Sequence, residues 1–227
     1  MKKENIQIAI DGPAAAGKST VAKKIAQELS FIYIDTGAMY RALTYKALTK
    51  GVNVMDEQSL DQLLKQTTID LTVHNNRQRV MLDGNDVTTE IRSELITKHV
   101  SSIAKFVTIR EEMTKRQRAF SMKYSVVMDG RDIGTHVLPN ADLKFFLIAS
   151  VEERAKRRHE ENLTYGFPSK LEDLIEEIKA RDYADQTMDV APLKKAKDAI
   201  EIDTTGLSIN DVVSLMLEAI HKKLNML

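Results

Sequence analysis

The chain has 227 residues, no cysteine, and 33 basic against 33 acidic residues, which gives a formal net charge of zero. The lack of cysteine excludes a disulfide scaffold, a thiolate zinc site and a cysteine nucleophile. Zero net charge argues against a broad nucleic-acid surface, and no apolar run approaches the roughly 18 residues needed to span a bilayer. The first residues also lack a signal-peptide core. We therefore expect a cytoplasmic monomer that binds small molecules, with no nucleic-acid or membrane partner.

Two strand–helix units open the chain. Residues 6–10 and 31–34 are short apolar runs that are typical of buried strands. Each is followed by a segment with the helical spacing of apolar residues, first over 17–29 and then over 38–50, where Gly51 is placed to end the helix. Alternation at this density predicts a parallel sheet with helical crossovers.

A different pattern follows in the middle of the chain. Residues 69–73 and 79–82, with a short stub at Val87, alternate apolar and polar side chains. Together with turn residues at Asn75–Asn76 and Asp83–Gly84, this alternation predicts a small antiparallel meander.

The last third of the chain returns to the first pattern. Further buried strands are predicted at 125–129, 143–148 and 199–203. Helices are predicted at about 93–103, 107–122, 151–163, 170–182 and 208–224. Two S-x-x-E capping boxes, beginning at Ser150 and Ser169, mark the starts of the third and fourth of these helices.

The spacing of the strands predicts an inserted domain. About 90 residues separate Asp35 from Ser125, whereas a parallel crossover needs only about 12. We therefore predict an insertion at about 55–105 after the second strand, within a core that consists of 1–54 and 106–227.

A phosphate-binding loop is predicted between the first strand and the first helix, where Gly12–Ser19 match G-x-x-x-x-G-K-[ST]. Backbone N–H groups of such a loop and of the helix start point at an anion. Lys18 is expected to place a cation at the β and γ phosphates of ATP, and the Ser19 hydroxyl is a ligand for Mg²⁺. The predicted nucleotide-binding residues are Gly12, Pro13, Ala14, Ala15, Ala16, Gly17, Lys18, Ser19 and Thr20.

Two more motifs lie at the carboxyl ends of predicted strands, where an open α/β sheet binds ligands. The first is DTGAMYR at 35–41, in which Arg41 offers a bidentate fork for a phosphate. The second is DGRDIGT at 129–135, in which Arg131 can hold an anion and Asp132 can accept from an amino group.

These motifs, with IAIDGPAAAGKST at the start and ARDYAD at 180–185, resemble the bacterial cytidylate kinase family, and the resemblance covers almost the whole chain. The family contains small P-loop enzymes that phosphorylate CMP and dCMP with ATP and Mg²⁺. The resemblance implies an α/β fold of the P-loop NTPase type, with three layers around a parallel core sheet. It makes the insertion at about 55–105 a small α+β domain that binds CMP, and it makes residues 150–168 a helical lid.

The resemblance also implies roles for individual residues. It places Ser101, Arg110 and Asp132 at the cytosine, and Arg181 and Asp185 at the ribose. Asp35, Thr36, Tyr40, Arg41 and Arg131 lie around the CMP phosphate. Arg157 binds ATP, and the catalytic cations are Lys18, Arg131, Arg154 and Arg158.

The chemistry of cytosine agrees with these roles. Its N4 amino group donates and its N3 accepts, whereas uracil reverses both. A carboxylate at Asp132 would accept from the amino group, and Arg110 would donate to N3 or O2. Met188 departs from the family pattern, because many members have an arginine at this position. We therefore expect a higher KM for the acceptor.

Three alternatives remain at this point. A P-loop kinase for another small acceptor, such as UMP, AMP or shikimate, has the same loop. A tRNA-modifying prenyltransferase also has a P-loop followed by an aspartate motif, although zero net charge argues against an RNA substrate. A nucleotide sensor without turnover is the third.

Overall fold

A computed structural model describes residues 5–74, 77–164 and 166–224. In chain order its helices and strands are β1 (Gln7–Asp11), α1 (Lys18–Leu29), β2 (Ile32–Asp35), α2 (Thr36–Thr49), α3 (Glu57–Lys65), β3 (Ile69–His74), β4 (Arg77–Leu82), β5 (Asn85–Asp86), α4 (Glu94–Ala104), α5 (Val107–Lys123), β6 (Val126–Gly130), β7 (Leu143–Ile148), α6 (Val151–Thr164), α7 (Leu171–Gln186), β8 (Ile200–Asp203) and α8 (Ile209–Leu224).

The core sheet has five strands in the order β2-β6-β1-β7-β8, with β1 in the centre. Strand β1 pairs in parallel with β6 and with β7, and β7 pairs in parallel with β8. The side chains of Ile8, Ala9 and Ile10 have no exposed surface, which explains why β1 is apolar on both faces. The predicted α/β fold with a parallel core sheet is confirmed.

The chain divides into two compact units. The first consists of Met1–Ile32 and Tyr124–Leu227 and carries most of the core sheet. The second, Tyr33–Lys123, contains the whole of the predicted insertion at 55–105 and also α2 and α5.

The second unit has its own sheet and its own apolar core. Strands β3, β4 and β5 form an antiparallel sheet in that order, as the alternating pattern predicted. The last strand is Asn85–Asp86, slightly before the predicted stub at Val87. The predicted Asn75–Asn76 turn lies outside the described residues. Fully buried side chains of the core include Met39, Leu43, Leu60, Leu64, Ile91, Ile103 and Ile109.

Helix α3 was not predicted from the sequence. Asp56 caps it, because its carboxylate accepts from the backbone N–H groups of Gln58 and Ser59 at 3.1 and 3.2 Å. Leu60 and Leu64 lie on its buried face. A short turn of π-helix at Ile133–Val137, directly after the DGR motif, was also not predicted.

One of the two predicted capping boxes forms its cap and the other does not. Glu153 donates its backbone N–H to Ser150 Oγ at 3.2 Å, as predicted. The box at Ser169 is wrong, because Ser169 Oγ is hydrogen-bonded to His159 Nδ1 at 2.8 Å and Lys170 occupies the N-cap position of α7. Among residues 5–74, 77–164 and 166–224, no helix has the combination of length and apolar character that crossing a membrane requires.

Candidate nucleotide-binding site

The loop between β1 and α1 has the geometry of a phosphate-binding loop. Gly12 has φ 147°, and a Cβ built there would lie 2.1 Å from the carbonyl oxygen of Leu147, so only glycine fits. Gly17 has φ 86° and occupies the N-cap position of α1, which begins at Lys18. Ala15 also has a positive φ, of 59°. Because the first N–H groups of a helix have no partner within it, this loop and helix start form a site for an anion.

Lys18 lies folded over this loop and is buried. Its Nζ donates to the carbonyl oxygen of Pro13 at 2.7 Å. Burial lowers the pKa of Lys18 well below its usual range, and the nearby Arg131 guanidinium lowers it further, whereas Asp129 opposes the change. A bound phosphate would supply the negative charge that favours the protonated lysine.

Ser19 meets a carboxylate that the sequence analysis did not assign to the site. Its Oγ donates to Asp129 Oδ2 at 2.8 Å. Asp129 lies on β6 next to β1 and is buried. The sequence shows Asp129 only as an acidic residue near the end of a predicted strand. The order of the strands in the sheet is what brings this residue to Ser19.

The hydroxyl and carboxylate oxygens of this pair are the hard ligands that Mg²⁺ prefers. Within the described part of the chain, no group of three or more His, Asp or Glu residues could hold a metal ion by itself. Ser19 and Asp129 offer two oxygen ligands to such an ion, and its other ligands would be phosphate oxygens and water.

Asp11, the last residue of β1, is buried beside the loop. Its Oδ1 accepts from the backbone N–H of Ile133 at 2.8 Å, and its Oδ2 accepts from that of Gly134 at 2.7 Å. Burial raises the pKa of Asp11 to about 6, although these two hydrogen bonds act in the opposite direction. No role for Asp11 follows from the sequence motifs alone.

The DGRDIGT segment places two predicted substrate residues next to the phosphate loop. Arg131 Nε lies 2.8 Å from Asp185 Oδ2 on α7, so two residues predicted to contact substrate form an ion pair with each other. Asp132 is buried at the start of the π-helical turn. Arg181, also on α7, is close enough to lower the pKa of Lys18.

Helix α6 brings Arg154 to the phosphate loop. The guanidinium forms two contacts with Asp182 of α7, at 3.0 and 2.6 Å, and also donates to the carbonyl oxygens of Ala149 and Ala14 at 3.0 and 3.3 Å. Its side chain is only 4% exposed. Arg154 is therefore held at the loop by a buried ion pair that the sequence did not predict.

The other two arginines of α6 differ in position. Arg157 donates to Oγ1 and to the carbonyl oxygen of Thr204, at 3.1 and 2.7 Å, and its Nη1 is 3.9 Å from the position of a Cβ built on Gly17. Arg157 thus lies beside the loop, and its role at ATP stays a prediction. Arg158 forms a partly exposed pair with Glu161 on the same helix, at 3.2 Å.

The second unit carries the remaining predicted substrate residues. Asp35 Oδ1 caps α2 by accepting from the Ala38 N–H at 2.9 Å, and Arg41 Nη1 donates to Thr97 Oγ1 at 2.8 Å. Thr36 is buried in the first turn of α2, and Tyr40 is partly buried in the next.

The two residues predicted to read the base in this unit differ in exposure. Arg110, on α5, is buried, and its Nη1 donates to the carbonyl oxygen of Ala104 at 3.1 Å. Ser101 is exposed on α4. Their roles at the cytosine stay predictions.

Comparison with known proteins identifies the family. The family model described as cytidylate kinase matches residues 8–222. The chain belongs to the cytidylate kinase family. It is 60% identical over 222 residues to a cytidylate kinase of Geobacillus kaustophilus, and the alignment covers 98% of this chain and 99% of that protein. It is 58% identical over 221 residues to a cytidylate kinase of Bacillus subtilis, which covers 97% and 99%.

A comparison with solved structures supports the fold alone. An uncharacterised protein of Eubacterium ventriosum aligns over 96% of this chain and 99% of its own, with a TM-score of 0.53 and 14% identity. In this member of the cytidylate kinase family, five of the predicted site residues lie around one loop: Lys18, Ser19, Arg131, Arg154 and Arg157. Asp11 and Asp129, which were not predicted as site residues, lie beside the same loop.

Proposed function

We propose that this chain transfers the γ-phosphoryl group of ATP to the 5′-phosphate of CMP and of dCMP, which gives ADP and CDP or dCDP. One observation carries the proposal: in a chain of the cytidylate kinase family, Lys18 bonds to the phosphate loop at Pro13 and Ser19 bonds to Asp129 beside that loop. The family match gives no support to the prenyltransferase or the sensor alternative.

The chain's own residues would act by positioning and by charge. The acceptor phosphate has a second pKa of about 6 and is largely dianionic at pH 7, so its attack on the γ-phosphorus needs no general base. Lys18 would neutralise charge on the β and γ phosphates, and Arg131 and Arg154 would stabilise the charge of the transferring group. Arg158 is also proposed to contribute, although in this structure it pairs with Glu161.

We also propose Mg²⁺ as the cofactor, held by Ser19 directly and by Asp129 directly or through water. When bound, the ion would neutralise phosphate charge. The hydrogen bond between the two side chains supports this, because it holds the two oxygens 2.8 Å apart beside the loop.

For the acceptor we propose that Asp132 and Arg110 read the cytosine, with Ser101 beside them, and that Arg181 and Asp185 hold the ribose. Asp35, Thr36, Tyr40, Arg41 and Arg131 would hold the CMP phosphate. The support is chemical, because a buried carboxylate that accepts from the N4 amino group would repel the uracil carbonyl. A monomer and a cytoplasmic location complete the proposal, and both rest on the neutral, cysteine-free composition.

The first experiment measures ADP formation from ATP and Mg²⁺ with CMP, dCMP, UMP, AMP, GMP, dTMP and shikimate as acceptors. Turnover confined to CMP and dCMP is the expected result. Turnover with another acceptor would overturn the cytosine assignment of Ser101, Arg110 and Asp132 and keep the phosphate loop. ATP binding without turnover on any acceptor would overturn the proposal as a whole.

A further inference from the structure

Asp11 makes an unusual pair of hydrogen bonds. Both carboxylate oxygens accept from backbone N–H groups of one segment that lies more than 120 residues further along the chain, at 2.8 and 2.7 Å. The side chain is only 3% exposed. Burying a carboxylate costs free energy unless its hydrogen bonds compensate, and here the partners that it bonds directly are neutral amides. The two hydrogen bonds tie the end of β1 to the segment at Ile133 and Gly134.

The sheet register shows how Asp11 differs from Asp129. Ile10 lies opposite Asp129, and Asp11 lies opposite Gly130. Because successive side chains of a strand point to opposite faces, Asp11 and Asp129 project from opposite faces of the sheet. Asp129 meets Ser19 on one face, whereas Asp11 holds the turn that follows Asp132 on the other.

Gly134 makes this contact possible. A Cβ built on it would lie 3.3 Å from Asp11 Oδ2 and 3.1 Å from Lys144 Cδ, which is closer than side chains normally pack. The segment is thus clamped between a carboxylate of β1 and the aliphatic chain of a β7 lysine. Arg131 and Asp132 come immediately before the clamped amides, so any movement of the clamp would move both.

We propose that Asp11 is a positioning residue for the acceptor side of the reaction: it fixes the backbone at Ile133 and Gly134 and so places Arg131 and Asp132 against CMP. The inference rests on the proposed roles of those two residues. Two adjacent residues would then serve different substrates: Gly12 belongs to the ATP loop, whereas Asp11 would serve the acceptor.

The test is the kinetics of an Asp11→Asn variant. Asparagine has nearly the same shape but only one oxygen, so one of the two amides would face an NH₂ group and the segment would shift. A displacement of about 1 Å can cost up to about 100-fold in rate. We expect kcat/KM for CMP to fall at least about tenfold, with KM for ATP changed by less than about twofold.

Asp142→Asn is the matched control. Asp142 Oδ2 accepts from the backbone N–H of Gln7, at the opposite end of β1, at 2.8 Å. This variant neutralises a similar carboxylate at a backbone amide of the same strand, away from Arg131, and its one remaining oxygen can still accept the Gln7 N–H. It should leave kcat/KM for CMP unchanged.

Gly134→Ala keeps the carboxylate and crowds it with a new Cβ, so we expect the same selective loss for CMP. Thermal unfolding of each variant shows whether it is folded. Equal losses for CMP and ATP, or no loss in either variant, would overturn the inference. An Arg131→Ala variant separates this from a failure of the proposed site: if its kcat/KM for CMP is unchanged, the role of Arg131 is wrong, whatever Asp11 does.

Discussion

Replacing Asp182 with asparagine tests how firmly α7 holds Arg154 at the phosphate loop. The two side chains are 4% and 15% exposed, and two N···O contacts join them at 3.0 and 2.6 Å. Beside this pair, the apolar contact between α6 and α7 is small and centres on Ala155, Leu174 and Ile178. Asparagine preserves the shape of Asp182 and removes the charge that faces the guanidinium.

The expected loss follows from the burial of the pair. Removing one partner of a buried ion pair typically costs about 3–5 kcal/mol, because the other charge stays buried. Arg154 keeps its bonds to the carbonyl oxygens of Ala149 and Ala14, so we take the lower end, about 3 kcal/mol in the free energy of unfolding. For a chain of this length that corresponds to a Tm lower by about 6–12 °C.

Urea unfolding followed by circular dichroism measures the loss directly. The control is Glu176→Gln on the same helix, which removes an exposed pair with Lys179 and should have no measurable effect. A loss below about 1 kcal/mol for Asp182→Asn would show that the pair is hydrated in solution and that α7 does not hold Arg154. Equal losses in the two variants would show a general effect of charge on this helix.

Three further predictions concern the site. Burial raises the pKa of Asp11 to about 6 from 3.8, so its contribution to stability is present in full below pH 3.8 and is lost as the pH rises through 6. The free energy of unfolding of the unsubstituted chain, minus that of Asp11→Asn, should therefore be about 1 kcal/mol larger at pH 5 than at pH 7. A difference that is the same at both pH values would refute the shift. Ser19→Ala should weaken the binding of Mn²⁺, measured by electron paramagnetic resonance in the presence of ATP, by about tenfold, and unchanged binding would exclude Ser19 as a ligand. Met188→Arg should lower KM for CMP several-fold, and an unchanged KM would show that the missing arginine has no effect here.

The sequence predicted the core sheet because its strands carry their own signal. Continuous apolar runs between turn residues mark β1, β6 and β7, and the phosphate-loop motif fixes where β1 ends. Helix α3 escaped prediction because it has only nine residues, mostly polar, and its strongest sign is a single capping aspartate, Asp56.

The site was predicted less completely because its partners are distant in the sequence. The resemblance predicts Arg154 and Arg131 as cations near phosphate, but their bonds to Asp182 and Asp185 depend on how α6 and α7 pack. The wrong cap at Ser169 has the same cause. The local motif predicts a hydrogen bond between the Ser169 hydroxyl and the helix backbone, whereas the hydroxyl bonds to His159, ten residues earlier in the chain.

The cationic groups of the site are bonded to acceptors from the same chain. Lys18 bonds to a backbone carbonyl oxygen, and Arg131 and Arg154 bond to carboxylates of α7. Folding has therefore already met the cost of removing these groups from water and of ordering their side chains. A phosphate that binds here would replace these acceptors, and the cations would then already be in position when the charge of the transferring group develops.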